Sequence, residues 1–374
     1  MSTTKQSNNR VVIKIGTNLL ADKARGVDIA RIGNLARSVS HLHATGKEVA
    51  IVSSGAIGAG VAALGLAERP RTIPDKQAIA AIGQPLLMEA YERAFRAVGL
   101  HIGQILLTKD DFTTRARFVN AKNTFSILFD KGVVPIINEN DTVAVEEIKL
   151  GDNDNLAAMV AHLVEADVLI VMTNTDGLFS GDPKTDPGAS LIPVVKNITP
   201  ELEKLAKRSA TDLGTGGMYT KLQAAKQCVG AGITMIIMNG TDPDAIENVF
   251  SGSFRGTVFL PKENRMNVRK KWIGYISHAK GFVIIDNGAK AALLTGQKSL
   301  LPSGIVDVHG DFRENDTISV KSQTGIEIAR GATRYSSGDL ERVKGMRSGE
   351  IRQLLNRSSK IEVIHKDHLA LTGE

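Results

Sequence analysis

The segment RVVIKIG, residues 10–16, predicts a buried strand, because it is rich in β-branched residues and stops at a glycine. A helical pattern follows at 28–45, where apolar residues recur every three or four positions. A second strand-like segment, EVAIVSSG, comes directly after it at 48–55. This alternation of strand and helix predicts an α/β fold with a mostly parallel sheet that helices cover on both faces.

The same alternation continues to about residue 240. Four further apolar segments predict buried strands: HIGQILLT, GVVPIIN, ADVLIVMT and GITMIIMN. Helical patterns lie between most of them. Pro85 interrupts the helical pattern at 75–98, so a break or a kink is predicted there.

The pattern changes after residue 261, where PKENRMNVRKKW is charged and has little apolar content. Short strand-like segments separated by Gly, Asn and Asp follow it. We therefore predict an α/β domain at 1–261, a linker at 262–277, a small β-rich domain at 278–358 and a polar tail at 359–374.

The composition limits the class of protein. A chain of 374 residues is longer than one hydrophobic core usually serves, which agrees with two domains. Its longest apolar stretches fall short of the roughly 20 residues of a membrane helix, and MSTTKQSNNR at the start lacks the apolar run of a secretory signal. The single cysteine, Cys228, cannot form an internal disulfide, which fits a reducing cytoplasm. The net charge of +6 favours anionic ligands such as nucleotides or RNA.

The predicted strands end in polar, glycine-rich loops. In open α/β sheets, ligands bind beyond the carboxyl ends of the strands, so these loops are the candidate site. Neither the phosphate-binding loop G-x-x-x-x-G-K-[ST] nor the dinucleotide fingerprint G-x-G-x-x-G occurs after a strand. The loops in question read KIGTN, SSGAIGAG, INENDTVA, GDNDN, TNTDGLF and GTGGMYTK.

Three charged residues in these loops point to ionic ligands. GTGGMYTK, residues 214–221, opens a helical pattern, and glycines there let backbone N–H groups approach an anion with Lys221 one turn further on. Lys14 lies inside an apolar strand, where a lysine is costly unless it has an anionic partner. Asp141 is a candidate counter-charge for an ammonium group, or else the first residue of an Asx-turn.

Taken in order, VVIKIGTNLL, VSSGAIGAG, IINENDTVA, IKLGDNDNL and DLGTGGMYTK resemble the glutamate 5-kinase family of proline biosynthesis, which has the amino-acid kinase fold. GFVIIDNGAKAALLTG and GATRYSSGDL resemble the PUA domain that many members carry at the C-terminus. The resemblance covers nearly the whole chain. It implies a cytoplasmic enzyme that phosphorylates the side-chain carboxylate of L-glutamate with ATP and Mg²⁺. It also implies a homo-oligomer, dimer or tetramer, that proline inhibits.

The resemblance also assigns roles to individual residues, with Mg²⁺ arriving on ATP and no metal ligand assigned. The implied catalytic residues are Lys14, Asp154 and Lys221. The implied glutamate-binding residues are Ser54, Asp141 and Asn153. The implied ATP-binding residues are Lys14, Thr173, Asn174, Thr215, Gly216, Gly217, Met218, Tyr219, Thr220 and Lys221.

Physical chemistry adds an interpretation of GDNDN, residues 151–155. Asp154 would repel phosphates directly, so we expect it to orient the two lysines instead. Asp152 and Asn155 are expected to cap the helix that follows or to support the loop.

Two residues depart from the family pattern. Asn174 stands where many relatives have Asp, which puts the nucleotide contact there in doubt. Asn315 stands where a glycine is common. Since Asn tolerates positive φ better than most residues, the turn at Asn315 is expected to survive.

Two other functions stay open at this point. Kinases of the same fold act on N-acetylglutamate, aspartate or uridine monophosphate, although a free amino group is what Asp141 would recognise. An RNA-binding or RNA-modifying protein is the second alternative, because PUA-like domains often contact RNA. Base stacking usually needs aromatic side chains, and these are only 4% of the residues.

Overall fold

A computed structural model describes residues 10–22, 26–68, 70–144, 153–183, 185–208, 217–261, 279–295, 298–346, 349–351 and 361–372. The chain divides into two compact units, Met1–Arg265 and Met266–Glu374. The linker predicted at 262–277 lies outside the described residues.

The described part of the first unit contains ten strands that follow the predicted apolar segments and add several short ones. They are β1 Arg10–Ile15, β2 Ala21–Asp22, β3 Gly26–Val27, β4 Glu48–Val52, β5 His101–Leu107, β6 Val133–Glu139, β7 Val168–Thr173, β8 Val194–Val195, β9 Thr234–Asn239 and β10 Gly256–Phe259.

Eight of these strands form one sheet in the order β5-β6-β4-β1-β7-β9-β10-β8. Neighbours from β5 to β9 pair in parallel, β10 runs antiparallel to β9, and β8 pairs in parallel with β10. The predicted mostly parallel sheet is therefore confirmed. The chain connects the parallel strands through helices, as parallel pairing requires.

The described helices of the first unit alternate with the strands. They are α1 Thr17–Leu20, α2 Ile29–Ala44, α3 Ala56–Ala63, α4 Ile73–Arg96, α5 Lys109–Thr113, α6 Arg115–Asp130, α7 Asn153–Leu163, α8 Pro200–Arg208, α9 Met218–Gly230 and α10 Ala245–Ser251.

The central strand β1 separates the core from the polar site. Its residues Val11, Ile13 and Ile15 belong to a hydrophobic cluster with buried side chains of α2 and α4. Successive side chains of a strand point to opposite faces, so Lys14 lies on the other face. Helix α7 packs against β1, and α9 packs against α7. A charged side chain on β1 therefore meets the beginnings of these two helices.

Helices α3 and α4 cross in close backbone contact at two glycines. A Cβ atom at Gly83 would lie 1.8 Å from the carbonyl oxygen of Ala56, and one at Gly60 would lie 2.1 Å from that of Ile79. Both distances are far shorter than a van der Waals contact, so only glycine fits at either position. The start of α3 is therefore fixed against the middle of α4 by backbone contact.

Helix α4 runs through Pro85 without the break that the sequence suggests. A proline inside a helix removes one backbone hydrogen bond and crowds the preceding turn. Here Ile79, Leu87 and Phe95, on both sides of the proline, are buried in the core. Their burial holds the two halves of the helix in one element.

The second unit is built around one sheet in the order β12-β11-β13-β14-β15. The confirmed β-rich architecture encloses a hydrophobic cluster of its own that includes Val283, Phe312, Val320 and Tyr335. Its described elements are β11 Gly281–Ile285, α11 Asn287–Leu294, β12 Ile305–Gly310, β13 Thr317–Ser322, β14 Glu327–Ala332, α12 Ser337–Val343 and β15 Leu369–Leu371.

Residues 361–372 differ from the polar tail expected after residue 358. Strand β15 pairs antiparallel with β14, and Val363 and Ile364 are fully buried. The phenol of Tyr335 donates a hydrogen bond of 3.0 Å to the carbonyl oxygen of Ile361. The alternation of apolar and charged residues in IEVIHKDHLAL is that of a half-buried edge segment, which the short strand length concealed.

The turn that carries Asn315 is present between β12 and β13. Asn315 has a φ of +74°, in the left-handed region. Its backbone N–H donates a 2.7 Å hydrogen bond to the carbonyl oxygen of Thr333. The expectation that asparagine preserves this turn is confirmed.

Candidate active site

The predicted polar loops meet at one edge of the large sheet. The strands β4, β1, β7 and β9 are consecutive parallel neighbours, and β6 lies beside β4. Their carboxyl ends therefore point the same way. Residues 53–54 follow β4, Asn138 lies near the end of β6, and Thr173 closes β7.

Two lysines converge on one buried carboxylate at this edge. The Nζ atom of Lys14 lies 2.6 Å from Oδ1 of Asp154, and the Nζ atom of Lys221 lies 3.0 Å from Oδ2 of the same residue. Exposed fractions are 4% for Lys14, 0% for Asp154 and 6% for Lys221. Burying these charges is costly, so their close pairing is what makes the arrangement tolerable. We call these three residues the ion cluster.

The ion cluster is assembled from three elements that are distant in sequence. Lys14 comes from β1, Asp154 from the first turn of α7 and Lys221 from the first turn of α9. An ammonium group has three N–H donors, so one bond to Asp154 does not exhaust its capacity. The cluster thus presents positive charge where the amino ends of two helices also favour an anion.

Thr220 supports the same carboxylate. Its hydroxyl lies 3.0 Å from Oδ2 of Asp154 and 2.8 Å from the carbonyl oxygen of Gly217. The resemblance assigns Thr220 to the ATP site, whereas the structure places its hydroxyl on Asp154. Gly217 is the N-cap of α9, and Met218 and Tyr219 form its half-buried start. Asp152, Thr215 and Gly216 lie outside the described residues.

Beside the ion cluster lies a group of neutral polar side chains. The Nδ2 atom of Asn153 lies 2.7 Å from the carbonyl oxygen of Ser53, 2.8 Å from Oγ of Ser54 and 3.2 Å from Oδ1 of Asn138. An amide NH₂ has two hydrogens, so these three acceptors share them. The structure thereby brings together Asn153 and Ser54, two of the three residues assigned to substrate binding.

Asp141, the third of these residues, lies in the turn after β6. The backbone N–H groups of Val143 and Ala144 donate to the carbonyl oxygen of Asn140, at 3.2 and 3.1 Å, and close this turn. Asp141 is half-buried in it. It therefore lies at the same sheet edge as Asn138, three residues away in sequence.

Thr173 ends β7 and Asn174 begins the loop after it, and their side chains approach each other at 3.4 Å. Two residues further, Asp176 accepts a 3.0 Å hydrogen bond from Nδ2 of Asn239 at the end of β9. Its other oxygen lies 2.8 Å from Nε of Arg255. Asp176 therefore ties the loop that holds Thr173 and Asn174 to the neighbouring strand end.

Three polar residues around this site were not singled out in the sequence. Asn138 has a visible signal, because it is the only polar residue in VVPIIN and lies in a polar loop already recognised. Gln84 and Tyr91, by contrast, lie within α4, where a helical pattern draws attention to apolar positions. Burial raises the pKa of the Tyr91 phenol well above its ordinary value, and its hydrogen bond to Ser53 opposes this rise only partly. Tyr91 is therefore a neutral hydrogen-bonding group.

Among the described residues, no group of three or more His, Cys, Asp or Glu side chains is arranged to hold a metal ion. No helix within the described ranges is long and apolar enough to cross a membrane.

Comparison with known proteins places the chain in a family. The family model described as Amino acid kinase family matches residues 9–239, and the model described as PUA domain matches residues 281–355. A glutamate 5-kinase from Geobacter sp. (strain M21) is 48% identical over 362 residues, 97% of either chain. A glutamate 5-kinase from Moorella thermoacetica is 45% identical over 364 residues, which is 97% of this chain and 96% of the relative.

A solved structure agrees on the fold. The carbamate kinase from Giardia lamblia bound to AMP-PNP superimposes with a TM-score of 0.50 at 18% identity, over 68% of this chain and 99% of that one. At this identity the likeness concerns the fold alone. Because the family model spans most of the first unit and the relatives match along nearly their whole length, the chain belongs to the amino acid kinase family.

Proposed function

We propose that the chain transfers the terminal phosphoryl group of ATP to the side-chain carboxylate of L-glutamate. The products are L-glutamyl 5-phosphate and ADP, and the reaction is the first step of proline biosynthesis from glutamate. The observation that carries the proposal is the ion cluster beside the Asn153–Ser54 pair at one sheet edge. The relatives named glutamate 5-kinase, 45% and 48% identical over 97% of the chain, support the choice of acceptor.

The chemistry needs no general base. The side-chain carboxylate of glutamate is already ionised at neutral pH and is itself the nucleophile. The obstacle is its approach to a polyanion, since two like charges ~4 Å apart repel by about 4 kcal/mol at an effective dielectric near 20. Catalysis then consists of positioning and charge stabilisation, as in phosphoryl transfer generally.

The ion cluster supplies that stabilisation. Lys14 and Lys221 would contact the phosphoryl group as it passes from donor to acceptor. Asp154, 2.6 and 3.0 Å from their ammonium groups, would orient both and keep them charged. Such preorganised charges act strongly because the site is buried and needs no rearrangement as the reaction proceeds.

The neutral polar side chains beside the ion cluster, together with the carboxylate of Asp141, would bind the amino acid. Asn153 and Ser54 offer an amide and a hydroxyl at the ends of α7 and β4, and Asp141 would pair with the α-ammonium group. This last contact favours glutamate over N-acetylglutamate, whose nitrogen carries no charge. Aspartate would be one methylene too short to reach the same phosphoryl group.

The nucleotide would lie over β7 and the start of α9. Thr173 and Asn174 would contact it from the loop that Asp176 ties to β9. The segment from Thr215 to Lys221 would surround the phosphates with backbone N–H groups. Mg²⁺ enters the proposal as part of the nucleotide substrate, held by phosphate oxygens whose charge it offsets.

Other properties remain predictions. We expect a catalytic domain at 1–261, a linker at 262–277 and a PUA domain from 278, which we now extend to β15. A cytoplasmic location follows from the lack of any internal disulfide and from the substrates. A homo-oligomer and inhibition by proline are expected from the resemblance, and sedimentation velocity and rate measurements with added proline would test them.

RNA binding through the PUA domain is also still a prediction. Several cations of this unit already face carboxylates: Lys280 lies 3.0 Å from Asp316, and Arg334 lies 2.8 Å from Glu362. Binding of RNA that weakens with salt would support this role.

A hydroxylamine trap tests the proposed reaction. The protein is incubated with Mg-ATP, hydroxylamine and one acid at a time, and hydroxamate and ADP are assayed. We expect hydroxamate from L-glutamate and little from aspartate or N-acetylglutamate. Absence of hydroxamate with all of these acids would overturn the proposal.

A further inference from the structure

Helix α4 carries three polar side chains at intervals of seven residues, Gln77, Gln84 and Tyr91. Seven residues are almost two helical turns, so the three side chains lie along one face of the helix. At a rise of about 1.5 Å per residue, neighbouring members are about 10.5 Å apart along the helix axis. We call them the α4 stripe. Nothing in the family resemblance or in the proposed mechanism gives these residues a role.

Each member of the α4 stripe contacts a different segment of the candidate acceptor site. The phenol of Tyr91 lies 3.0 Å from Oγ of Ser53, directly after β4. Oε1 of Gln84 accepts a 2.9 Å hydrogen bond from Asn138 near the end of β6. Nε2 of Gln77 donates a 3.0 Å hydrogen bond to the carbonyl oxygen of Ala144, which ends the turn that carries Asp141.

The groups that the α4 stripe contacts are bonded to, or adjacent in sequence to, the residues that would touch glutamate. Asn153 binds the carbonyl oxygen of Ser53, Oγ of Ser54 and Oδ1 of Asn138. Tyr91 therefore bonds to Ser53 and Gln84 bonds to Asn138, which are both partners of the Asn153 amide. Ser53, Tyr91 and Asn138 are almost completely buried, so water does not replace these bonds readily.

Helix α4 is itself held in a fixed position by its packing. Its position against α3 is fixed by the contact of Gly83 with Ala56, immediately before Gln84. Leu87 and Phe95 anchor its inner face in the hydrophobic core. A stripe on such a helix holds the three segments at fixed distances from one another.

We propose that Gln77, Gln84 and Tyr91 are positioning residues that set the affinity of the acceptor site by holding the ends of β4 and β6 and the Asp141 turn against one helix. The inference rests on the proposed function, because it assigns the acceptor as glutamate. It predicts that loss of any one contact weakens glutamate binding and leaves ATP binding unchanged.

Steady-state kinetics of three isosteric variants test the proposal. Tyr91→Phe, Gln84→Met and Gln77→Met each remove a polar contact and keep most of the side-chain volume. We expect the KM for glutamate to rise about fivefold in each, the equivalent of one hydrogen bond, while the KM for ATP stays within about twofold. An unchanged KM for glutamate, or an equal rise in both KM values, would overturn the proposal.

Two further variants separate positioning from general packing. Combining Tyr91→Phe with Ser53→Ala should raise the glutamate KM no more than Ser53→Ala alone, because both changes remove the same hydrogen bond. Leu42→Ala shortens a buried side chain of the same apolar core, on α2 and not on α4. It should lower the melting temperature without altering either KM, and if it reproduced the glutamate effect, the stripe would be a packing feature only.

Hydrogen exchange measured by mass spectrometry tests the positioning role of the α4 stripe without measuring enzyme activity. We expect Tyr91→Phe to speed exchange in peptides that cover residues 53–55, and Gln84→Met and Gln77→Met to do so for residues 138–144. Unchanged exchange in these peptides contradicts the proposal. If the wild type makes no hydroxamate from glutamate, the proposed function fails, and the exchange data still decide whether the stripe positions the strand ends.

Discussion

The two halves of the candidate site use opposite means to order their side chains. On the phosphoryl side, Lys14, Asp154 and Lys221 form a buried ion cluster. On the acceptor side, Asn153 and its partners are neutral amides and hydroxyls joined by hydrogen bonds. In the proposed reaction, charge is concentrated where charge moves, and hydrogen-bonding groups, with the carboxylate of Asp141 in the neighbouring turn, stand where glutamate would be selected and released.

The largest effect should follow the loss of a lysine. Lys14→Ala or Lys221→Ala should lower kcat by about 10³-fold, because each removes a preorganised charge from the transferring group. Circular dichroism would check the fold, and Lys226→Ala, at a half-buried position on α9 where the lysine pairs with Glu203, is the matched control. A folded Lys14→Ala enzyme with near-normal kcat would show that the charge of Lys14 does not stabilise the transferring group, and the contrast between the two halves would be wrong.

A smaller effect is expected for Asp154→Asn, which removes one charge at nearly constant volume. The rate should fall about 100-fold because the lysines lose the group that orients them. Two buried ammonium groups would then face each other, so the free energy of unfolding should fall by about 3 kcal/mol.

Urea unfolding of this variant with and without ATP would measure the second effect. ATP should restore part of the lost stability, because its phosphates supply the missing negative charge. Equal stability of the variant and the wild type would mean that Asp154 does not hold the lysines together.

Asp141→Ala tests the acceptor half. Loss of a charge-assisted contact with the α-ammonium group should raise the KM for glutamate by about tenfold or more and leave the KM for ATP nearly unchanged. Asp141→Asn keeps a neutral hydrogen-bond acceptor, so its KM for glutamate should lie between those of the wild type and Asp141→Ala. Equal changes in both KM values would argue against ammonium recognition.

The smallest effect is expected at Thr220. Thr220→Val removes the hydroxyl that lies 3.0 Å from Asp154, so kcat should fall only about fivefold, and Thr220→Ser should behave like the wild type. A larger change in the KM for ATP than in kcat would move Thr220 from the ion cluster to the nucleotide site.

The charged half was readable from the sequence, and the neutral half was readable only in part. A lysine in the apolar strand VVIKIG demands an explanation, because burial of a charge is costly. Gln84 and Tyr91 demand none, since polar residues are common on helices. Their contacts became visible only when the fold placed α4 against the ends of β4 and β6.

The fold shows the same division. Apolar runs predicted the six parallel strands β1, β4, β5, β6, β7 and β9, because near-continuous burial of all of them except the edge strand β5 leaves a strong pattern. The two-residue strands β2, β3 and β8 carry too few residues for any pattern. Helix α4 continued through Pro85 because buried residues such as Leu87 and Phe95 outweigh one missing backbone bond.

The crossing of α3 and α4 has a consequence for how acceptor preference can diverge in evolution. The distance between these helices is set by backbone against backbone at Gly60 and Gly83, so no side chain there can be trimmed or enlarged by a point mutation. We therefore expect related chains to keep this helix spacing. We expect a preference for a larger or smaller acid to arise in the connecting segments, where insertions and substitutions meet no such backbone contact.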